Sequence, residues 1–296
     1  VRVFLIVNPT AGQGRAARAL PTMARCLREG GATCEVFETT RPGEAQTQAR
    51  QAAREGYDAV VAAGGDGTIH EVLNGVVGSS SALGVIPVGT ENIFGKEFNL
   101  PFNVAAACRL IRRQTAQTLD VGLCRAANTE RYFLLMAGLG FDAQVVRDVS
   151  LAFKQRLKSL AFFLTGCATF ARYQPMSVTI TTEDRTLTAN AWEVLISNAK
   201  HFGWRVRISP TVSMDDGLFD VCVFAQPHRW DFAAEALGSL ARRLVGGSGV
   251  VQFQARRVTV QSAAPLPAQF DGEAIDTRAT EVTFEVLPRA VRVIVG

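Results

Sequence analysis

The chain begins with short Val/Ile/Ala-rich runs at residues 2–7, 33–38, 58–62 and 83–87, separated by helix-period stretches near 14–29, 43–54 and 68–77. Apolar strands without alternation, each followed by a helix, predict a parallel sheet covered on both faces. Pro21 falls inside the first helical stretch, where it removes a ladder hydrogen bond and predicts a kink or restart. After another helix near 103–113, and from about Leu119 onward, the pattern changes to alternation with a period of two, at 177–182, 191–197, 218–224, 257–261 and 282–287. That period predicts an antiparallel sandwich, interrupted by helical insertions at about 150–173 and 229–245. The pattern therefore predicts an α/β domain over residues 1–121 and a β-rich domain over 122–296, with the extreme C-terminus a candidate to return to the first.

Composition narrows the function classes. The 296 residues are 48% hydrophobic and 20% charged, and 31 Lys+Arg against 27 Asp+Glu leave a formal charge of only +4. Such a balance disfavours a nucleic-acid partner. The Phe-rich uncharged stretch between Lys158 and Arg172 is too short and too interrupted to span a bilayer, for which roughly 20 apolar residues are needed. The first residues read as a buried strand and not as a signal peptide, so the expected location is cytoplasmic, with membrane contact only from the surface. Six scattered cysteines without a C-x-x-C pair predict buried thiols, and three histidines exclude a His-rich metal centre. Residues 147–172 carry Arg147, Lys154, Arg156, Lys158 and Arg172 against Asp148, a local excess equal to that of the whole chain. Phe153, Leu157, Leu160 and Leu164 recur there at helical spacing. The segment reads either as a domain-covering helix with a solvated basic edge or as one that meets anionic headgroups or walls an apolar pocket.

The candidate chemistry begins where Val60-Val61-Ala62-Ala63 runs into Gly64-Gly65-Asp66-Gly67-Thr68 and a helix follows at once. Glycines admit close approach to a bulky anion, and the first-turn N–H groups of a helix favour negative charge. Asp66 beside such a cradle points to a divalent cation, since a bare carboxylate would repel a polyphosphate. Capping of the helix by Asp66 is the plainer alternative. Two further small-residue turns, Asn8-Pro9-Thr10-Ala11-Gly12-Gln13-Gly14 and Pro87-Val88-Gly89-Thr90-Glu91-Asn92, also follow predicted strands. Three turns at the carboxyl edge of a parallel sheet suggest a nucleotide. A Walker motif, a dinucleotide fingerprint after the first strand and the protein-kinase signatures are all absent.

In this order Asn8-Pro9…Gly12…Gly14, Gly64-Gly65-Asp66-Gly67-Thr68, Glu71…Asn74-Gly75, Gly84…Pro87…Gly89-Thr90…Asn92, Leu119-Asp120-Val121-Gly122, Gly138…Phe141-Asp142 and Phe270-Asp271-Gly272-Glu273 resemble the diacylglycerol kinase catalytic-domain family, which includes bacterial lipid kinases and the sphingosine and ceramide kinases. The resemblance implies an ATP site in the first domain, a lipid-receiving second domain and transfer of the γ-phosphoryl to a lipid hydroxyl, with a diacylglycerol-like acceptor, at the inner face of a membrane. It implies nucleotide contacts at Asn8, Thr39, Gly64, Gly65, Asp66, Gly67, Thr68, Ile69, His70 and Thr90, and catalytic Mg²⁺ on Asp66. Glu273 matches the general base, and Ser213, Asp216 and the carbonyl of Leu218 match a structural metal site. The chain departs from the pattern at Ile93 and Lys96, where many relatives have an acid and an arginine, and Glu91 is the candidate substitute for the acid. His70 stands where many bacterial relatives have Asn and the sphingosine-kinase branch has His. The remaining alternatives are a soluble-metabolite kinase of the NAD-kinase kind and a non-catalytic lipid- or nucleotide-binding regulator. No pattern bears on oligomeric state.

Overall fold

The computed structural model describes the chain except for Gly30, Asn128, residues 150–158 and 203–205, and Asp276, and for residues 159–162 it describes the backbone alone. Two compact units emerge, one of Val1–Val121 with Pro288–Gly296 and one of Gly122–Leu287.

The first unit contains β1 (Arg2–Val7), α1 (Ala11–Arg28), β2 (Thr33–Glu38), α2 (Glu44–Arg54), β3 (Ala59–Gly64), α3 (Asp66–Val76), β4 (Ala82–Pro87), α4 (Ile93–Glu97) and α5 (Val104–Arg113). Its strands lie in the order β2-β1-β3-β4, all parallel, with Val7 opposite Glu38 and Ala63, and Gly64 opposite Pro87. Every residue of β3 and β4 is buried, which accounts for the lack of polar alternation in these two strands. Helix α2 packs on α3 through Ala45, Ala49 and Ala52. Gly75 lets the two helices touch, since a Cβ there would stand 2.5 Å from that of Ala49. The C-terminal end of β18 (Glu281–Ile294) adds a strand beside β4, with Arg292 opposite Ala82. Asp120, fully buried, fixes this return by accepting from the Arg289 N–H at 2.8 Å.

Pro21 does not interrupt α1. The backbone leaves helical geometry at Gly12, Gln13 and Gly14 (φ 59, 59 and 80°), so the break sits in the turn, seven residues before the proline.

The second unit contains the remainder of β5 (Ala116–Ala126), β6 (Thr129–Phe133), β7 (Met136–Gly140), α6 (Phe141–Asp148), α7 (Ser159–Arg172), β8 (Met176–Thr181), β9 (Thr186–Ala191), β10 (Glu193–Ser197), β11 (His201–Phe202), β12 (Val206–Arg207), β13 (Phe219–Phe224), α8 (Arg229–Arg242), β14 (Val250–Ala255), β15 (Arg257–Ser262), β16 (Ala268–Phe270), β17 (Glu273–Ile275) and the start of β18. One antiparallel layer runs β18-β15-β8-β9 and another β14-β13-β10-β7-β16-β17. The core gathers Val178, Ile180, Val258, Val260 and Phe284 of one layer with Leu139, Val194, Ile196, Phe219, Val221 and Phe270 of the other. Strand periodicity sends Leu195, Cys222 and Phe224 to the opposite face, where they meet Trp192 and Phe232 of α8. Central strands β10 and β13 are thus buried on both faces.

The basic residues Lys154, Arg156 and Lys158 lie outside the described residues, while Arg172 pairs with Asp148 at 2.6 Å. All cysteines are free and all but Cys167 are buried; burial pushes the thiols of Cys108, Cys124 and Cys222 up to about 12. No helix among the described residues is long and apolar enough to cross a membrane.

A polar exception sits in this second unit. Glu193 at the start of β10 and Asp142 in α6 bring their carboxyls together, and Glu193 Oε2 accepts from the Asp142 N–H at 2.8 Å. Glu193 Oε1 and Asp142 Oδ1 are buried without a donor among the described residues. Burial, and then the Asp142 charge, hold Glu193 well above the usual carboxylate range; burial raises Asp142 as well. The Tyr173 hydroxyl, buried near both, is raised chiefly by its own burial. Both shifts favour the protonated, neutral form of the buried pair.

Two outcomes follow from this packing. Phe133 is fully buried, with ring centroids 5.6 and 5.8 Å from Phe219 and Phe270, so Phe133→Ala should cost about 3–5 kcal/mol in denaturant unfolding. As pH rises past about 4, the unfolded chain releases carboxyl protons that the folded Glu193–Asp142 pair retains, so the pair's contribution to stability falls with rising pH. Glu193→Gln should therefore raise the melting temperature relative to wild type at pH 8 and barely at pH 4; a difference independent of pH would contradict the raised carboxyls.

Candidate active site

In the first unit the parallel register brings the ends of β1, β3 and β4 to one edge of the sheet. Asn8 donates its backbone N–H to Ala63 O at 3.0 Å, and its side chain donates to Thr68 Oγ1 at 3.3 Å. Asn8 Oδ1 accepts from the Thr10 N–H and hydroxyl, closing the first turn. Gly64 O accepts from both Val88 and Gly89 N–H groups, at 3.1 and 3.0 Å. At Gly89 a Cβ would stand 2.4 Å from Gly65 Cα, so the second and third turns touch backbone to backbone. Arg15 donates to Val88 O at 3.2 Å and to Gly89 O, and Asn92 donates to Gly89 O at 3.0 Å. Asn8, Gly64, Gly65, Asp66, Gly67, Thr68 and Thr90 are therefore brought to one place.

Gly65 precedes α3 in extended geometry, and no side chain caps this eleven-residue helix. Its first turn thus keeps backbone donors directed at the sheet edge. Asp66 is half-buried in that turn, and its Oδ1 accepts from the Phe94 N–H at 3.1 Å. Asp66 stands as the first residue of α3, one position after the N-cap Gly65. Ile69 and His70 are buried; the His70 ring lies 3.4 Å from the Asn74 amide within α3. Thr39, at the end of β2, donates its N–H to Val7 O at 2.9 Å and is half-buried. In the following loop Glu44 is held below the usual carboxylate range by the N–H of Thr40, ahead of its bonds to the Thr40 hydroxyl and Arg41. Glu71 anchors the same loop by accepting from the Gly43 and Ala45 N–H groups. Glu91 pairs with Lys96 at 3.7 Å.

In the second unit Phe270 and Glu273 face each other across a two-residue turn, Asp271-Gly272, with φ 50 and 86°. Positive φ at both positions is the twist a tight hairpin requires. Asp271 could pass for a solvated turn acid, yet its carboxylate accepts from the N–H groups of Leu134, Leu135 and Met136 at 2.8–3.0 Å. Gln269 accepts from the Gly272 N–H at 2.8 Å. Glu273 stands half-buried at the tip. Arg15, Asp271 and Gln269 are contributors that sequence reasoning missed; each acts through long-range bonds to backbone that no local pattern encodes.

The loop before β13 holds Ser213, half-buried, with its hydroxyl bonded to Asp215, and the exposed Asp216, whose Oδ1 accepts from the Leu218 N–H at 3.0 Å. Among the described residues no group of three or more His, Cys, Asp or Glu is placed to hold a metal. A Ser, Asp and carbonyl set lies outside that definition and offers hard oxygen donors.

The comparisons with known proteins agree across the length of the chain. Residues 2–124 match the diacylglycerol kinase catalytic domain, and residues 136–295 match the YegS C-terminal NAD kinase beta sandwich-like domain. A diacylglycerol kinase from Bacillus subtilis (strain 168) is 28% identical over 92% of this chain and 89% of its own. A Pseudomonas aeruginosa protein named "Probable lipid kinase YegS-like" is 30% identical over 99% of this chain and 93% of its own. A solved diacylglycerol kinase from Bacillus anthracis superposes over 100% of this chain and 97% of its own, with a TM-score of 0.74 at 22% identity, which speaks for the fold alone. With both of its domains matched in order, the chain belongs to the diacylglycerol kinase catalytic-domain family.

Proposed function

We propose that the protein is an ATP- and Mg²⁺-dependent lipid kinase that transfers the γ-phosphoryl of ATP to the hydroxyl of a diacylglycerol-like lipid. The observation that carries this reading is the uncapped start of α3, where Asp66 and three glycines stand at the edge formed by three strand ends, within a chain whose relatives are named diacylglycerol kinase and lipid kinase.

Phosphoryl transfer asks a protein mostly for positioning and charge neutralisation. The turns built on Asn8, Gly64 to Gly67 and Thr90 would hold the phosphates through backbone N–H groups, with Thr68, Ile69, His70 and Thr39 bordering the nucleotide. Asp66 would hold Mg²⁺, and the hard carboxylate oxygen beside the open helix start fits that ion. When bound, the cation neutralises phosphate charge. Glu273 would accept the proton of the acceptor hydroxyl, which the hairpin geometry supports by keeping it at a fixed, half-buried tip. Ser213, Asp216 and the Leu218 carbonyl would hold a second, structural cation. The nucleotide-binding role belongs to residues 1–121 and the lipid-receiving role to 122–296.

A peripheral role at the inner face of a membrane fits the second unit's surface. Phe163 of α7 and Trp230 and Leu237 of α8 are 65%, 72% and 67% exposed, and Phe170 joins the two helices through its ring contact with Trp230 at 5.5 Å. Exposed Trp and Leu with arginines nearby suit a headgroup interface.

Mg-ATP and a total lipid extract, followed by mass spectrometry, should show phosphate added to a hydroxyl lipid. Asp66→Ala and Glu273→Gln should each lower that turnover by about 100-fold or more while the melting temperature is kept. Unchanged turnover in both would refute the assigned roles, and phosphate entering NAD alone would move the protein to the soluble-metabolite kinases. ATP binding without any phosphorylated lipid would identify a regulator. Charge reversal at Lys154, Arg156 and Lys158 should weaken binding to anionic vesicles; unaffected binding would return that segment to a covering role.

A further inference from the structure

The turn that presents Glu273 is held from two sides. On one, Asp271 gathers the three N–H groups of residues 134–136. On the other stands Gln269, in β16 and 3% exposed, whose amide is used at both ends. Its Oε1 accepts from the Gly272 N–H at 2.8 Å, and its Nε2 donates to Asp142 Oδ2 at 2.9 Å. The amide has only one workable orientation, because Gly272 N–H is a donor and the Asp142 carboxyl oxygen an acceptor. Asp142 is fixed in turn by Glu193, the other half of the buried carboxyl pair. A chain of contacts thus runs from Glu193 through Asp142 and Gln269 to the N–H of Gly272, the residue before Glu273.

Such a chain costs stability. Two carboxyls are kept out of water, each with an oxygen that lacks a donor, where apolar residues of the same volume would serve the core as well or better. A two-residue hairpin with a glycine at its second position closes without help from a preceding side chain. What the chain adds is a fixed plane for the peptide that enters Gly272, and hence a fixed direction for the next side chain.

We propose that Gln269 is a positioning residue for Glu273, transmitting the anchored position of the Asp142–Glu193 pair to the turn so that the Glu273 carboxylate is held at one place and angle toward the acceptor hydroxyl. This rests on the reading of Glu273 as the proton acceptor.

The test uses the full chain, Mg-ATP and a diacylglycerol in detergent mixed micelles. Gln269→Met, which keeps the shape and removes both hydrogen bonds, should lower kcat by about 10- to 100-fold and leave the KM for ATP within about twofold. Gln269→Glu keeps the acceptor for Gly272 and can donate to Asp142 only while protonated. The titratable groups around it are Asp142 on α6, Glu193 on β10, Tyr173 after α7, and Asp271 and Glu273 of the hairpin itself. These groups remain in both proteins, so the ratio of the variant's kcat to that of wild type should fall by about tenfold between pH 6 and pH 9. If Gln269→Met does not fold, the pH series alone decides. A melting temperature that drops while kcat stays at the wild-type level, or a Gln269→Glu ratio flat with pH, overturns the positioning role. Wild-type kcat in Glu273→Gln overturns the reading of Glu273 and the inference with it, whereas an inactive Glu273→Gln beside a fully active Gln269→Met overturns the inference alone.

Discussion

The ends of β3 and β4 meet so closely that Gly64 O bonds the N–H groups of both Val88 and Gly89, and Gly89 leaves no room for a side chain against Gly65. The rest of the first unit's candidate site depends on that contact. It fixes where α3 starts, and therefore where Asp66 and the first-turn N–H groups lie. It also gives Arg15 two adjacent carbonyls to bind, which ties the first turn to the same point. A single added methyl group at Gly89 would separate three turns at once, because the parallel sheet behind them is buried on both faces and has no slack to take up the shift.

The second unit solves a different problem by different means. Its sandwich buries apolar side chains on both faces of β10 and β13, and into that interior it admits the Glu193–Asp142 pair. The pair is tolerable because burial favours its protonated form and because the Asp142 N–H and the Gln269 amide supply donors to the other two oxygens. Rigidity of the sandwich and rigidity of the hairpin are thereby the same property. The turn at Asp271-Gly272 is short and left-handed at both positions, and it is bonded at its carboxylate and at its backbone.

Much of this organisation is legible in the sequence because it is local. Continuous apolar runs followed by glycines mark β3 and β4, and a period of two marks β8 and β15, whereas β10 and β13 are buried on both faces. The ordered motifs also lead to Asp66 and Glu273. What the sequence leaves hidden involves partners far apart along the chain. Asp271 looks like any turn acid until residues 134–136 are brought to it, and Gln269 looks like an ordinary strand residue until Asp142 lies beneath it. Pro21 misleads in the opposite way: its local cost is real, but α1 is held by packing of Met23, Cys26 and Leu27 into the core, and the chain bends at glycines instead.

Ile93 shows how the two kinds of information combine. The family resemblance implies an acid at that place, and Ile93 looks like damage when only side chains are compared. Asp66 here is met by a backbone group, the Phe94 N–H, which any residue at position 93 leaves in place. Glu91 is turned to Lys96 and so answers the local charge without needing to occupy the missing position. The Phe94 N–H that meets Asp66 is main chain, and the turn before it is tied down by the Asn92 bond to Gly89 O. A turn held mostly by backbone groups can change one side chain and keep its shape, whereas the hairpin, which relies on the Asp271 carboxylate and the Gln269 amide, has no such latitude.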